Sequence, residues 1–294
     1  MKNFINKYFP YMFISPAIIL LLLFSIFPIF VALIISFTDA GVTGLADWSK
    51  INFIGLQNFK EIFADPVFFQ SLGNTVYYVV IGVPLLIILS MGIAILINTG
   101  NNKFFRAFRV VFYAPSVTNV VAIAVIWSFL YNPFGFFNYI LGLFGVEAIG
   151  WLQDPNIAKV SLIILALWRA VGTNMLIFLA ALQSIPKEYY EAASLDGATL
   201  KNQIFSITIP NLKFATFFVG VTSLIGWLQF FDEPFVMTKG GPLNSTKSIA
   251  LFIYNNGFQL SRFGYAAAGS FVLFIAIIAI TLVMFKVQGK ENEL

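Results

Sequence analysis

Two stripes of side chains in this 294-residue chain have the types and spacing to hold a polar solute in apolar surroundings. Arg169 and Thr173 stand four residues apart beside Trp168 and Asn174, and Ser223, Trp227 and Phe230 stand at i, i+4 and i+7. On a helix each set shares one face, and aromatic faces beside hydrogen-bonding groups are what a sugar ring requires. Arg169 is the sharper signal. An arginine at the centre of an apolar helix costs roughly 2.5–3.5 kcal/mol to insert. It therefore faces either a polar pathway or a structural partner, a carboxylate or carbonyls from another helix or subunit, and both readings stand. For Trp227 and Phe230, packing or lipid-facing roles come ahead of ligand contact, because aromatics are common throughout a chain with 35 phenylalanines. Thr118, Asn119 and Gln229 are weaker candidates, of the kind that bond helices together. Asp232 and Glu233 lie at the outer edge of a span, where solvation accounts for them.

Enzymatic chemistry is poorly supplied. The chain has no cysteine and no histidine, which removes disulfides, thiolate nucleophiles and the commonest general base and metal ligand. No paired carboxylates share a helix face for acid–base work. The segment from Gly241 to Ser248 comes near the phosphate-binding pattern G-x-x-x-x-G-K-S, but Thr246 replaces the second glycine and Pro242 removes an N–H from the anion cradle. No strand precedes it. Gly240-Gly241-Pro242 reads instead as a tight turn in an external loop, and no cofactor or metal is assigned to this chain.

The elements that carry these residues must be helices in lipid. The sequence is 59% hydrophobic and 10% charged, with a mean hydropathy of +0.88, against about 25% charged for a soluble domain. A soluble core cannot absorb that much apolar surface. Apolar runs at 12–37, 75–97, 110–131, 157–182, 214–231 and 264–286 each approach the roughly 20 residues that cross a bilayer as a helix. The alternation of a membrane barrel is absent, and four leucines at 20–23 suit a helix in contact with lipid all round. The fold class is all-α, a bundle of six transmembrane helices forming one domain over 1–294. Pro16, Pro28, Pro84 and Pro115 predict kinks. The first run exceeds the roughly 7–15 residues of a signal core and no Ala-x-Ala site follows, so it reads as a retained signal anchor.

Orientation follows from the basic residues. Lys2, Lys7, Lys103, Arg106, Arg109, Lys187, Lys201, Lys213, Lys286 and Lys290 fall on one side. The longer opposite loops hold only Lys50, Lys60, Lys159, Lys239, Lys247 and Arg262. The positive-inside rule then places both termini in the cytoplasm. The net charge of +4 is a topology signal, and neither a basic stripe nor an aromatic platform for nucleic acid accompanies it.

The connection 183–213 is too long for a simple turn and too ordered in composition to be a linker. Ser184 suits an N-cap, Pro186 a first turn, Glu-Ala-Ala a helical core and Gly197 a stop. A second helix starts after Thr199, aligns Leu200, Ile204 and Ile207 on one face and stops near Pro210. This is a cytoplasmic helix-turn-helix. Ala192 and Ala193 permit close approach of a partner groove, and Glu191 and Asp196 offer charge to its rim. Amphipathic helices resting on lipid headgroups are the alternative.

Glu191-Ala-Ala-Ser-Leu-Asp-Gly197, followed by Phe205-Ser-Ile-Thr-Ile-Pro210, resembles the Glu-Ala-Ala loop of binding-protein-dependent ATP-binding-cassette (ABC) importer permeases. The resemblance extends along nearly the whole chain and is strongest to the carbohydrate-uptake branch related to maltose, multiple-sugar and glycerol-3-phosphate permeases. Its landmarks are Pro28, Ser36-Phe-Thr-Asp39, Gly55-Leu-Gln-Asn-Phe59, Asn74-Thr75, Phe105-Arg106, Pro115 and Trp127. Further along come Gln183-Ser-Ile-Pro186, Phe231-Asp232, Thr238-Lys-Gly-Gly-Pro242 and Phe263-Gly-Tyr-Ala-Ala-Ala268. Ile209 stands where leucine is usual, Lys239 precedes the Gly-Gly-Pro, and the large external insertion of the classical maltose subunit is absent.

The resemblance implies a type I importer fold and makes Glu191, Ala192, Ala193, Asp196 and Gly197 the coupling helix that sits in a cleft of the ATPase. It implies a second homologous permease subunit, two ABC ATPase subunits that use ATP and magnesium, and an extracytoplasmic solute-binding protein, assembled in a bacterial inner membrane. It points first to a sugar or oligosaccharide as substrate, with glycerol-3-phosphate as the alternative, since Arg169 suits a phosphate as well as a hydroxyl. A secondary transporter driven by an ion gradient is the rival class, but no Asp or Glu lies deep within the six runs.

Overall fold

The computed structural model describes residues 2–42, 44, 47–100 and 103–291, with side chains between 11 and 288. Lys2, Lys7 and Lys290, used above for orientation, lie outside the residues whose side chains are described. Among the described residues there are helices and loops but no strand, only an isolated bridge between Thr38 and Phe53. The helices relevant here are α1 (Tyr11–Ser36), α2 (Gln57–Ala64), α3 (Pro66–Asn98), α4 (Lys103–Val117), α5 (Val120–Leu130) and α6 (Phe136–Leu143). They continue with α7 (Pro155–Gln183), α8 (Lys187–Leu195), α9 (Leu200–Asn211), α10 (Lys213–Leu228), α11 (Ile249–Tyr254) and α12 (Phe263–Glu291).

By length and composition α1, α3, α7 and α12 are each long and apolar enough to cross a membrane alone. Two bent pairs, α4 with α5 at 99° and α9 with α10 at 61°, bring the number to six when each pair counts as one span. The run 110–131 is therefore not one straight helix. Asn119 leaves helical geometry, and its Oδ1 accepts from the N–H groups of Val121 and Ala122 at 2.9 and 3.2 Å, starting α5 afresh. Pro84, by contrast, stays inside α3. In α1 a π turn at Leu22–Ile26 precedes Pro28, a local widening of the kind that accommodates a lost N–H donor.

The chain divides into two compact units. The first comprises 1–65 and 253–275. Here Nδ2 of Asn58 on α2 donates to the carbonyls of Ser36 and Thr38 at 2.9 and 2.8 Å, satisfying the end of α1. Gly264 lies so close to Thr38 that a Cβ would fall 2.0 Å from its carbonyl oxygen. Asp39 accepts from the N–H and side-chain amide of Asn52, and these bonds hold its carboxyl below the usual aspartate range.

The second unit comprises 66–252 and 276–294. Its core is the seam between α3 and α7, joined by α10. Tyr78, Leu86, Leu162, Ala166, Trp227 and Phe230 form one buried cluster. Ala94, Ile97, Phe178, Leu182, Leu212 and Val219 form another further along the same helices. Asp154 caps α7 by accepting from Asn156 N–H at 2.8 Å, and Pro155 fills the first helical position.

Candidate functional site

A cavity of about 450 Å³ is walled by α7, α10 and α3. All five residues of the two polar–aromatic stripes line it: Arg169 and Thr173 from α7, Ser223 and Trp227 from α10, and Phe230 just beyond. Asn174 and Thr222 join them. Trp227 and Phe230 are buried and stack with centroids 5.2 Å apart and planes 17° apart, and Tyr78 meets Phe230 edge-on at 4.8 Å. Gly82 makes this possible, since a Cβ there would lie 2.4 Å from the Trp227 ring.

Arg169 fits both of its sequence readings. Its side chain is 31% exposed and lines the cavity, while its Nε and Nη2 donate to one oxygen of Glu233 at 3.2 and 3.0 Å. Glu233 is 1% exposed. The expectation that it is a solvated edge residue is thus overturned: a guanidinium within an apolar bundle needs a counter-charge. Sequence reasoning missed the pair because 64 positions separate its members, although Arg169's need for a carboxylate pointed to the few acids flanking the spans.

The backbone beneath Arg169 is also modified. The hydroxyl of Ser116 on α4 donates to the Arg169 carbonyl at 2.6 Å and accepts from Thr173 N–H at 3.2 Å. These two groups would otherwise bond each other in the α-helical ladder. A serine from one helix is thus inserted into the ladder of another, where Gly172 permits contact: a Cβ there would lie 2.1 Å from the Phe112 carbonyl oxygen. Thr118 and Gln229 instead bond their own helices, Asn119 is a cap, and none of the three lines the cavity.

The loop after Glu233 is clamped to α3. Gln70 donates to the Leu243 carbonyl, Asn74 to those of Asn244 and Lys247, and Tyr78 to that of Thr246, all at 2.9 Å. Thr75 accepts from Ile249 N–H. Within the loop the N–H groups of Gly241, Ser245, Thr246 and Lys247 donate to the carbonyls of Thr238, Pro242, Gly240 and Asn244. They are turned inward to build the turn, which is not an anion cradle.

The helix-turn-helix of 183–213 is present with altered edges. Ser184 is not an N-cap; it closes α7, its hydroxyl donating to the Ala181 carbonyl, and Pro186 precedes α8. Gly197 stops α8 with φ at +76°. The N–H groups of Gly197 and Ala198 return to the carbonyls of Ser194 and Ala193 at 3.1 and 2.9 Å, a Schellman ending. Thr199 caps α9 through Asn202 N–H. α9 passes through Pro210 to Asn211 by way of a π turn at Ile204–Thr208. The extra residue of that turn offsets the expected face: Leu200 is 78% exposed, whereas Ile207 packs on the core.

No residue of α8 is buried. Glu191, Ala192, Asp196 and Gly197 are exposed, Ala193 is partly so, and Leu195 stands 91% exposed at the tip. The hairpin is nevertheless fixed. Tyr190 shares a 3.0 Å hydrogen bond with Thr208, and Gln203 Nε2 donates to the Ser194 hydroxyl at 3.0 Å.

A multi-pass helical membrane protein with a polar–aromatic cavity and a rigid helical hairpin whose first helix is unburied is the framework of a transport subunit. The chain belongs to the family of binding-protein-dependent transport system inner membrane components, whose pattern matches residues 62–289. It is 37% identical to the lactose transport system permease protein LacF of Rhizobium radiobacter, over 94% of this chain and 92% of that one. It is 33% identical to the sn-glycerol-3-phosphate transport system permease protein UgpA of Agrobacterium fabrum, over 98% and 97%. Its fold matches the crystal structure of a bacterial ABC transporter that imports alginate, with a TM-score of 0.83, 22% identity and 98% of both chains covered. The family is one of transport components rather than enzymes, seated in the inner membrane.

Proposed function

We propose that this chain is the permease subunit of an ATP-driven importer of a sugar or oligosaccharide, acting as one domain. It pairs with a second homologous permease, receives solute from an extracytoplasmic binding protein and is driven by two separate ATPase subunits that use ATP and magnesium. Both termini and the 183–213 hairpin face the cytoplasm. Glu191, Ala192, Ala193, Asp196 and Gly197 form the surface that enters the ATPase cleft; Arg169, Thr173, Ser223, Trp227 and Phe230 line the solute path.

The observation that carries this reading is α8, a helix with nothing buried yet locked by the Gly197 ending and the Tyr190–Thr208 bond. A rigid, unburied helix beside small residues supports a docking role better than a lipid-surface one. ATP drives the cycle only by binding the two states of the assembly with different affinity, and a hairpin that held no fixed geometry would not transmit that difference. Stacked aromatics beside hydroxyls and an amide favour a sugar ring over glycerol-3-phosphate.

The test is ATP hydrolysis by the complex purified in lipid, with its binding protein loaded in turn with lactose, other oligosaccharides or glycerol-3-phosphate. Stimulation by one loaded binding protein is the expected result and names the solute. Solute movement by this chain purified alone, without ATP, would install the secondary-carrier reading instead.

A further inference from the structure

The cavity contains one charged residue, Arg169, and the structure places that residue's counter-charge behind it. Glu233 is almost wholly buried, and both of the guanidinium's hydrogen bonds to it end on a single carboxylate oxygen. The remaining polar groups of the wall, Thr173, Asn174, Thr222 and Ser223, are neutral. The arginine thus presents donors to the cavity while its charge is balanced from outside it. We infer that Glu233 is a positioning and specificity-determining residue: it aims Arg169 and cancels its charge, so that the cavity admits uncharged polyhydroxy solutes and does not concentrate anions.

Geometry supports a dedicated role. Glu233 heads the π turn Pro234–Thr238, next to the loop that Gln70, Asn74 and Tyr78 clamp onto α3. Its backbone is therefore held at both ends, by α10 and by the clamped loop. Ser116 fixes the Arg169 carbonyl from the other side. Both members of the pair are thus anchored through their main chains, and removing the carboxylate leaves the guanidinium in the wall as an unbalanced positive charge.

The inference rests on the cavity being the solute path, and a cysteine-free chain permits a test of both. Thr173→Cys places a single thiol one helical turn from Arg169, where charge is sensed at close range. The assembled complex, with cysteine-free partner subunits, is treated in lipid at low ionic strength with a negatively charged and a positively charged methanethiosulfonate. The ratio of the two labelling rates reads the local potential. Glu233→Gln should raise the anion-to-cation ratio by about fivefold, from one uncancelled charge roughly 8 Å away in a water-like medium, and Glu233→Asp should restore it in part. The double variant Arg169→Gln/Glu233→Gln, neutral at both positions, should match the parent ratio even where the single variant does not assemble.

An unchanged ratio in Glu233→Gln overturns the inference while leaving the path intact. A double variant that falls below the parent does the same, because the parent cavity would then carry net positive charge. Failure of both reagents to reach the thiol in every background overturns the path reading and this inference with it.

Discussion

Alanine at position 172 should force α4 away from α7. A Cβ there would stand 2.1 Å from the Phe112 carbonyl oxygen and 2.8 Å from both the Phe112 carbonyl carbon and the Ser116 hydroxyl. Two of those atoms are backbone and cannot swing aside, so the helices must separate by roughly 1 Å or more to regain ordinary contact. That movement stretches the two bonds of Ser116, at 2.6 and 3.2 Å, together worth about 1–3 kcal/mol. Overpacking adds about 1–3 kcal/mol, and alanine's better helix propensity returns about 0.5–1 kcal/mol. The net expectation is a loss of roughly 1–5 kcal/mol. Denaturant titration in mixed micelles measures it, with Gly92→Ala as the internal contrast. That glycine also lies within a helix but has nothing within 4 Å of its Cβ position, so alanine should stabilise by about 0.5–1 kcal/mol. If the two variants shift the midpoint alike, the inserted-serine contact is not what joins these helices.

Four further outcomes are expected. Gly197→Val should insert normally but lose uptake, because a β-branched residue resists the left-handed φ of +76°, whereas Gly197→Asn should retain much of it; uptake assays beside immunoblots distinguish the two. Glu191→Lys should weaken co-purification of the ATPase and abolish uptake, and Tyr190→Phe, which loses the 3.0 Å bond to Thr208, should lower transport per ATP hydrolysed with assembly intact. Asp39 has a folded pKa held below its ordinary 3.8 by Asn52. Its contribution to stability is present above the unfolded value and fades as pH falls through the lowered folded one. Asp39→Ala should therefore flatten the acid limb of a stability–pH profile below about pH 4, and an unaltered limb would rule out that bond as the cause.

What was legible in the sequence is what helical periodicity encodes. The two stripes at i, i+4 and i+7 converge on one cavity because a polar side chain in a span has few places to go. Gly197 and Thr199 marked helix ends because backbone conformation and capping are local properties. The pairs that join distant segments were not legible. Glu233 looks like any charge at a membrane edge until the fold brings Arg169 beside it, and Ser116 looks like any serine in a span until Gly172 admits its helix. Asn119 is a polar residue in an apolar run by sequence, but its oxygen is spent on capping α5. The landmarks Asn58 and Gly264 carry resemblance without explaining it. The structure supplies the reason, since both crowd onto the carbonyl of Thr38.

The cavity and the hairpin are joined by construction. α7 carries Arg169 and Thr173 and runs into the hairpin at Ser184; α10 leaves the hairpin at Lys213 and carries Ser223 and Trp227. Both helices that enter and leave the hairpin are therefore walls of the cavity. Between the two sites lies a continuous packed block of Phe178, Leu182, Ile185, Leu212, Ala215 and Val219, against which Tyr190 and Ile207 of the hairpin also rest. Such a block resists compression, and from Leu182 to Thr173 the path along α7 is only about 14 Å at the α-helical rise. A displacement of α8 then has no slack segment in which to dissipate within this unit, and it must tilt α7 and α10. Loosening the block rather than either end, as Leu212→Ala would, should uncouple hydrolysis from uptake while leaving both ATPase binding and labelling of a Thr173→Cys thiol intact. Equal loss of ATPase binding would place the effect in the hairpin itself and not in transmission.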